Sequence, residues 1–191
     1  MNTASARLSH SATPLTGLNV IERQRREDAR GAFCRLFCAD ELAAAELAMP
    51  IAQINESITR RRGCVRGLHF QHPPHAETKL VMCIVGEVFD VAVDLRRGSP
   101  TFLKWHAERL SEANGRGLYI PAGFAHGFQT LTDDCRLIYL HSAPYVPASE
   151  DGLSATDPVL AIDWPLPVGE LSPRDANHPA LRAGFSGLDV K

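Results

Sequence analysis

The stretch from 64 to 100, CVRGLHFQHPPHAETKLVMCIVGEVFDVAVDLRRGSP, carries three histidines three residues apart, His69, His72 and His75, followed by Lys79. Such a cluster can bind a metal ion or supply a general base, since imidazole does both near neutral pH. Lys79 stands where a metal site would favour a carboxylate or thiolate, and an ammonium beside a divalent ion costs Coulomb energy. The pattern favours one histidine working as a base, with a metal site as the alternative.

A second pattern, GLYIPAGFAHGF over 117–128, resembles the second sequence motif of the cupin superfamily, whose Pro and Gly form a turn that presents His126 to the barrel interior. The first cupin motif would carry His-x-His, but here Gln71 stands at the second histidine position. His72 and His75 flank two prolines and are expected in an exposed loop. We therefore expect a cupin barrel without a metal.

The elements that must position these residues are short β-type runs. Seven such runs lie between residues 51 and 141, separated by turn sequences such as RRGSP and EANGRG. This spacing predicts an antiparallel sandwich or barrel, so the expected fold class is all-β, a cupin-type jelly roll with a few short helices. ADELAAAEL, over 39–47, is the best helix candidate because it lacks β-branched residues and precedes a proline.

Alternation along these runs assigns side chains to faces of the sheet. In residues 89–95 it places Asp90 and Asp94 on one face, which could line a ligand cavity in a small barrel, and the apolar residues on a core face. In the run that contains the first histidine, it places Arg66 on the face opposite His69.

Length and charge limit the class of protein. The chain has 191 residues, which favours one domain, and its 20 basic and 22 acidic residues give a net charge of −2. That balance argues against a nucleic-acid surface, though a few arginines in one pocket could still bind a small anion. We expect a flexible N-terminus over 1–15, one domain over 16–183 that ends in a Pro-rich wrap, and a flexible tail over 184–191.

Cysteine usage and hydropathy predict the compartment. Five cysteines make an odd count without paired C-x-x-C spacing, which indicates free thiols in a reducing environment. The N-terminal sequence has no apolar run of signal-peptide length, and no segment is long and apolar enough for a membrane helix. We expect a cytoplasmic protein with no membrane partner.

Six blocks together resemble the nucleotide-sugar 3,5-epimerases, the dTDP-4-dehydrorhamnose 3,5-epimerase family, from about residue 30 to 181. The blocks are QINES, VRGLHFQ, KLVMCIVGEVFDVAVDLRRGSPTF, LSEANGRGLYIPAGFAHGF, DPVLAIDWP and LSPRDANHPAL. The resemblance implies a metal-independent jelly-roll homodimer without a cofactor. It implies an isomerase that inverts C3, C5 or both of a nucleotide-linked 4-keto-6-deoxy sugar through an enolate, in deoxysugar biosynthesis for a polysaccharide or natural product.

By the same resemblance, four residues divide the chemistry. His69 is the base that removes the proton next to the C4 ketone, and Asp175 orients it and stabilises its charge. Lys79 stabilises the negative charge on the ketone oxygen, in the role that a metal could otherwise fill. Tyr139 returns a proton to the opposite face of the ring.

The resemblance also implies a set of residues that contact the nucleoside-diphosphate sugar. They are Arg30, Phe33, Arg35, Gln53, Asn55, Arg66, Asp90, His126 and Tyr145. Arg30 and Phe33 would reach the neighbouring subunit's site by strand exchange near residues 30–38. Arg35 departs from the glutamate usual in rhamnose-pathway members, so dTDP, CDP and GDP all stay open as the nucleotide.

Two other functions are possible. The histidines could belong to a metal-dependent cupin oxygenase or isomerase, which would hold a metal through His69 and His126. Alternatively, the chain could bind a sugar nucleotide without catalysis, although a binding module needs neither a base nor an opposed acid. Solvent deuterium exchange into a 4-keto sugar would distinguish an epimerase from both.

Overall fold

A computed structural model describes residues 7–190 of the chain, and its regular structure is mostly β-strand. The strands are β1 (Leu8–Ala12), β2 (Asn19–Arg23), β3 (Arg25–Asp28), β4 (Gly31–Cys34), β5 (Gln53–Thr59), β6 (Val65–Gln71), β7 (Lys79–Val85), β8 (Glu87–Asp94), β9 (Trp105–Ser111), β10 (Arg116–Ile120), β11 (Phe124–Thr130), β12 (Cys135–His141) and β13 (Glu150–Gly152). The helices are α1 (Ala39–Ala44) and α2 (Pro173–Ala176), and a 3-10 turn spans Pro147–Ser149.

All seven predicted β-runs form strands. The predicted helix over 39–47 is shorter than expected, because Glu46 adopts a left-handed φ of 60°.

Two antiparallel sheets pack against each other. The six-stranded sheet has the order β1-β2-β10-β7-β12-β5 and the five-stranded sheet the order β13-β6-β11-β8-β9, while β3 and β4 form a separate hairpin. This arrangement confirms the predicted all-β, cupin-type jelly roll. Within residues 7–190, no helix is both long and apolar enough to cross a membrane.

The main core lies between the sheets and is filled by side chains from both. Val81, Leu118 and Leu137 come from the six-stranded sheet, and Phe128 comes from the five-stranded sheet; all are 2% exposed or less. The outer face of the six-stranded sheet is covered by α1, whose Leu42 packs against it. Burial of these side chains contributes roughly 1.5–3 kcal/mol each.

The Pro-rich segment after residue 145 covers the outer face of the five-stranded sheet, as predicted. Leu160 is buried there and Trp164 packs beside it, with its indole Nε1–H donating to the Ala155 carbonyl at 2.7 Å. The apolar face of β8, including Val91 and Val93, packs against this Pro-rich segment. The opposite face of β8 therefore turns inward between the sheets, so its two aspartates are buried.

Two segments expected to be flexible make ordered contacts. Residues 8–12 form β1, which pairs with β2 along its whole length and buries Leu8. Near the other end, Leu188 is buried and its backbone N–H donates to the Leu95 carbonyl at 2.7 Å. Main-chain pairing explains both, because it does not depend on an apolar side-chain pattern. Residues 1–6 and 191 lie outside the described part of the chain, and the mobility of the ends stays a prediction.

A bulge in β6 changes which side chains face the sheet interior. In the pairing with β11, His69 lies opposite His126 and Arg66 lies opposite Phe128, so three residue steps on β6 match two on β11. Gly67 makes this possible, since its φ is 121° and an added Cβ would lie 2.5 Å from the Gly127 Cα. The prediction that Arg66 and His69 lie on opposite faces is therefore wrong, and both face the same cavity.

The carboxylate of Asp94 organises the turn after β8 and is fully buried. It accepts hydrogen bonds from the Arg96 guanidinium at 2.7 Å, the Ser99 hydroxyl at 2.5 Å and the Thr101 hydroxyl at 2.7 Å. Burial alone would raise the pKa of Asp94, but these donors outweigh it and lower the pKa to about 2. Asp94 is thus a structural carboxylate rather than a cavity residue.

We predict that Asp94→Asn lowers the free energy of unfolding at neutral pH by about 2 kcal/mol, the linkage value of this pKa shift. A depressed carboxyl pKa stabilises the fold above the unfolded-state pKa, so the difference between parent and variant should narrow as pH falls from about 4 towards 2. Urea unfolding across that range measures both effects. Asp28→Asn is the matched control, because Asp28 makes the same contact with a residue two positions on, Arg30, but in solvent. An equal loss in both variants would contradict the prediction.

Candidate active site

A cavity of about 820 Å³ is lined by strands of both sheets. Eight of the predicted site residues line it: Gln53, Asn55, Arg66, His69, Lys79, His126, Tyr139 and Tyr145. Asp90 and Asp175 do not line it but each contacts a histidine that does, at 2.9 and 2.8 Å. Asp90 was expected as a wall residue and instead lies behind the wall, fully buried.

His69 on β6 forms a dyad with Asp175 on α2. Its Nε2 lies 2.8 Å from Asp175 Oδ1, and the Gly67 N–H donates to Asp175 Oδ2 at 3.3 Å. Ser172 caps the helix by accepting from the Asp175 N–H, which fixes the carboxylate. Burial would raise the pKa of Asp175, but the hydrogen bond and charge of His69 outweigh it and hold the pKa well below its usual range. A charged carboxylate on Nε2 favours the tautomer that leaves Nδ1 free to accept a proton.

Arg174 places a positive charge beside this dyad. Its Nη2 lies 3.2 Å from His69 Nε2, and its Nη1 donates to both oxygens of Glu150, at 3.0 and 2.9 Å. His178 brings a third ligand atom, so His69, Asp175 and His178 offer a metal ion three atoms within 4.8 Å of one another. The guanidinium makes a divalent ion unfavourable there, because like charges at this distance repel.

His126 and Tyr139 form the inner part of the cavity. His126 is 5% exposed and its Nε2 contacts Asp90 Oδ1 at 2.9 Å, so the carboxylate orients the ring. The ring centroids of His126 and Tyr139 are 5.9 Å apart, edge to face. Tyr139 lies on β12 of the six-stranded sheet, and its hydroxyl is 3.3 Å from Ser57 Oγ. Burial strongly raises the pKa of Tyr139, despite the hydrogen bond with Ser57, which keeps the phenol protonated.

Lys79 is 7% exposed and projects from β7 into the same cavity. Its Nζ lies 3.2 Å from Glu77 Oε1, and Glu77 Oε2 lies 3.0 Å from His141 Nδ1. The cavity therefore contains a cation held by a carboxylate that also binds an imidazole.

The outer part of the cavity is polar and aromatic. The Tyr145 N–H donates to Gln53 Oε1 at 3.0 Å, and the Tyr145 hydroxyl donates to Glu150 Oε2 at 2.7 Å. Arg66 donates to the Thr59 hydroxyl at 3.3 Å and leaves further guanidinium donors available. These groups suit an anionic ligand with an aromatic part.

Three predicted binding residues lie outside the cavity. Arg30 and Phe33 lie on the β3–β4 hairpin, and Phe33 is 62% exposed. The Arg35 guanidinium pairs with Glu41 on α1. Within one chain, these residues therefore do not contribute to the site.

Sequence reasoning missed ten of the residues that line the cavity. Four of these ten have charged or imidazole side chains that contact other cavity residues: Glu77, His141, Glu150 and Arg174. A signal existed for two of them, since Glu77 lies two residues before Lys79 and His141 two after Tyr139, which places each pair on one face of an extended segment. Glu150 and Arg174 lie in the Pro-rich wrap, where no alternation indicates direction.

The arrangement suits proton transfer at a carbon next to a carbonyl. An imidazole held by a carboxylate, an ammonium and a neutral phenol line one cavity. The imidazole comes from β6 of the five-stranded sheet and the phenol from β12 of the six-stranded sheet. These are the groups that base removal, enolate stabilisation and reprotonation require.

Comparisons of this chain with known proteins agree on one family. The family profile described as dTDP-4-dehydrorhamnose 3,5-epimerase matches residues 12–183. A dTDP-4-dehydrorhamnose 3,5-epimerase of Sinorhizobium fredii is 42% identical over 165 residues, which cover 86% of this chain and 85% of the relative. A dTDP-4-dehydrorhamnose 3-epimerase of Streptomyces niveus is 44% identical over 163 residues, with 84% and 78% covered.

A solved structure agrees with these relatives. The crystal structure of dTDP-6-deoxy-D-glucose-3,5-epimerase from Legionella pneumophila Philadelphia 1, in complex with dTDP-4-keto-L-rhamnose, superposes with a TM-score of 0.88 at 38% identity. The match covers 96% of this chain and all of that one. The match thus extends over the fold as well as the sequence.

Proposed function

The chain belongs to the dTDP-4-dehydrorhamnose 3,5-epimerase family and is an epimerase, and from this premise we propose that it inverts C3, C5 or both of a nucleotide-linked 4-keto-6-deoxy sugar. The observation that carries the proposal is that His69, held by Asp175, and Tyr139 line one cavity and come from different sheets. Relatives named as 3,5-epimerases and as a 3-epimerase leave the number of inverted centres open.

In the first step, His69 removes the proton next to the C4 ketone through Nδ1. The carbon-bound hydrogen is acidic only because the resulting carbanion delocalises onto the ketone oxygen. Asp175 stabilises the imidazolium that forms, from 2.8 Å. The ammonium of Lys79, which is 7% exposed, stabilises the enolate oxygen.

In the second step, Tyr139 donates its proton to the opposite face of the enolate carbon, which inverts the centre. The raised pKa of Tyr139 supports this role, because the phenol is protonated when the enolate forms. His126 contacts the sugar from between the base and the acid, held by Asp90.

The nucleotide occupies the outer cavity. Arg66 binds the diphosphate, for which a guanidinium has the right geometry, and Tyr145, Gln53 and Asn55 contact the nucleoside. The names of the relatives and the bound ligand of the Legionella structure support dTDP. CDP and GDP are the alternatives, because Arg35 carries the charge opposite to the usual glutamate.

Two copies of the chain complete the site by exchanging the β3–β4 hairpin. Arg30 and Phe33 project from that hairpin, away from their own cavity, and Phe33 is 62% exposed. Ile54 on β5, at the edge of the cavity, is 59% exposed and gives a partner chain an apolar surface to cover. Exchange would bring an aromatic and a cationic side chain to the neighbour's nucleotide.

Neither a metal nor a cofactor takes part in the proposed reaction. Lys79 supplies the electrophile, and Arg174 puts a second positive charge near His69. The enzyme acts in the cytoplasm, a location that the five free thiols support.

The test is solvent exchange in D2O with dTDP-, CDP- and GDP-linked 4-keto-6-deoxy sugars. We expect deuterium at C3, at C5 or at both, with the dTDP sugar exchanging fastest, read by NMR. If a CDP- or GDP-linked sugar exchanged faster than the dTDP-linked sugar, CDP or GDP would be the nucleotide of the substrate instead of dTDP. A folded protein that exchanges none of the three would overturn the proposal.

A further inference from the structure

The carboxylate of Glu77 is shared between two other groups in the cavity. Oε1 lies 3.2 Å from Lys79 Nζ, and Oε2 lies 3.0 Å from His141 Nδ1. The side chains of Glu77 and Lys79 are each 9% exposed and that of His141 is 12% exposed, so water competes little for these contacts. The mechanism above uses only the lysine of this trio.

The contacts of His141 fit one tautomer of its ring. Asn55 Nδ2, a donor, lies 3.5 Å from His141 Nε2, while the carboxylate lies beside Nδ1. A neutral ring with its proton on Nδ1 satisfies both, since Nδ1–H donates to Glu77 and Nε2 accepts from Asn55. Burial would raise the pKa of Glu77, but the hydrogen bond from His141 and the charge of Lys79 outweigh it and lower that pKa. Glu77 is therefore a charged acceptor with one partner on each oxygen.

We propose that His141 is a positioning residue that, by occupying Glu77 Oε2, holds the Lys79 ammonium on Oε1 alone and directed at the ketone oxygen. The inference rests on the proposed epimerase function and deepens it. An ammonium has three donors, and a single contact to Glu77 leaves two for the substrate. Without His141, both carboxylate oxygens are free to bind Lys79, and the ammonium turns away from the cavity.

The position of His141 next to Lys79 and Tyr139 fits a role in positioning the ammonium. His141 lies directly opposite Lys79 in the pairing of β12 with β7, and its ring stacks on Tyr139 with centroids 6.0 Å apart. Since Lys79 and Tyr139 act on the same enolate, His141 is placed to affect the rate of the chemical step rather than the binding of the nucleotide.

The experiment compares kcat and KM of His141→Ala, His141→Asn and Glu77→Gln on the substrate that the parent epimerises. His141→Ala should lower kcat about tenfold or more with little change in KM, because a small displacement of a catalytic group has effects of that size. His141→Asn should restore most of kcat, since its amide can donate to Glu77 in place of Nδ1–H. Glu77→Gln should also lower kcat, as the ammonium loses its anchor.

Controls separate the possible failures. His72→Ala removes the histidine of a His–carboxylate pair of equal length, with Asp151 at 3.0 Å, outside the cavity, and should leave kcat unchanged. A parent without activity on any substrate argues against the epimerase itself. With an active parent, unchanged kcat in His141→Ala, a rise in KM alone, or no recovery in His141→Asn would overturn the inference. If His141→Ala does not fold by its melting curve, parental kcat in Glu77→Gln overturns it instead.

Discussion

His69→Asn is expected to lower the rate of solvent deuterium exchange, and kcat with it, by about 10²- to 10⁴-fold, the usual contribution of a general base. Asparagine keeps a polar side chain near Asp175 but has no ring nitrogen that can accept a proton. Because His69 lies at the cavity wall and not in the apolar core, the melting temperature should change little. Single-turnover exchange in D2O measures the loss directly.

His72→Asn is the matched control for this variant, because His72 is three residues away and also contacts an aspartate, Asp151, but outside the cavity. It should exchange at the parental rate. Equal exchange in the His69 variant and the parent would refute the assignment of the base, even if the overall reaction were still an epimerisation.

Tyr139→Phe is expected to separate exchange from inversion. His69 can still remove the proton and, after its own proton exchanges with solvent, return a deuteron to the same face. Inversion needs a donor on the other face, so its rate should fall by about 10²- to 10⁴-fold while exchange with retention continues. NMR of the recovered sugar in D2O distinguishes deuterated substrate from deuterated epimer.

Tyr119→Phe controls for loss of a buried tyrosine hydroxyl, since Tyr119 is 8% exposed and packs in the cluster under α1, outside the cavity. It should epimerise normally. If Tyr139→Phe inverted its substrate at the parental rate, the acid would have to be another group. If it lost exchange together with inversion, Tyr139 would be needed for the first step as well.

The fold could be predicted from sequence because alternation and turn residues are local signals. All seven predicted β-runs are strands, and the motif around His126 correctly indicates a barrel. The side of the sheet to which Arg66 points could not be predicted. It is set by the bulge in β6, which depends on how β6 pairs with β11. β1 was missed because only Leu8 of its five residues is buried, so the segment has no alternation of apolar and polar side chains.

The site was predictable only in part. Asp175 follows from family resemblance alone, since it contacts His69 across 106 residues of chain and sits in a Pro-rich segment without alternation. Glu77 and His141 each lie two residues from a predicted site residue. Nothing in the sequence indicates that the loop before β7 and the end of β12 place their side chains 3.0 Å apart. Arg30 and Phe33 of the β3–β4 hairpin lie outside the cavity of their own chain. The strand exchange that would bring them to a partner's cavity stays a prediction from the family resemblance.

Asp175 lies in the Pro-rich segment near the end of the chain, which has a consequence for the synthesis of the protein itself. A nascent chain emerging from the ribosome can complete both sheets before the last part of the Pro-rich segment is translated. His69, the proposed base, then lacks the carboxylate that contacts its ring. Turnover should therefore begin only when α2 has docked beside Gly67, where the main-chain amide donates to Asp175.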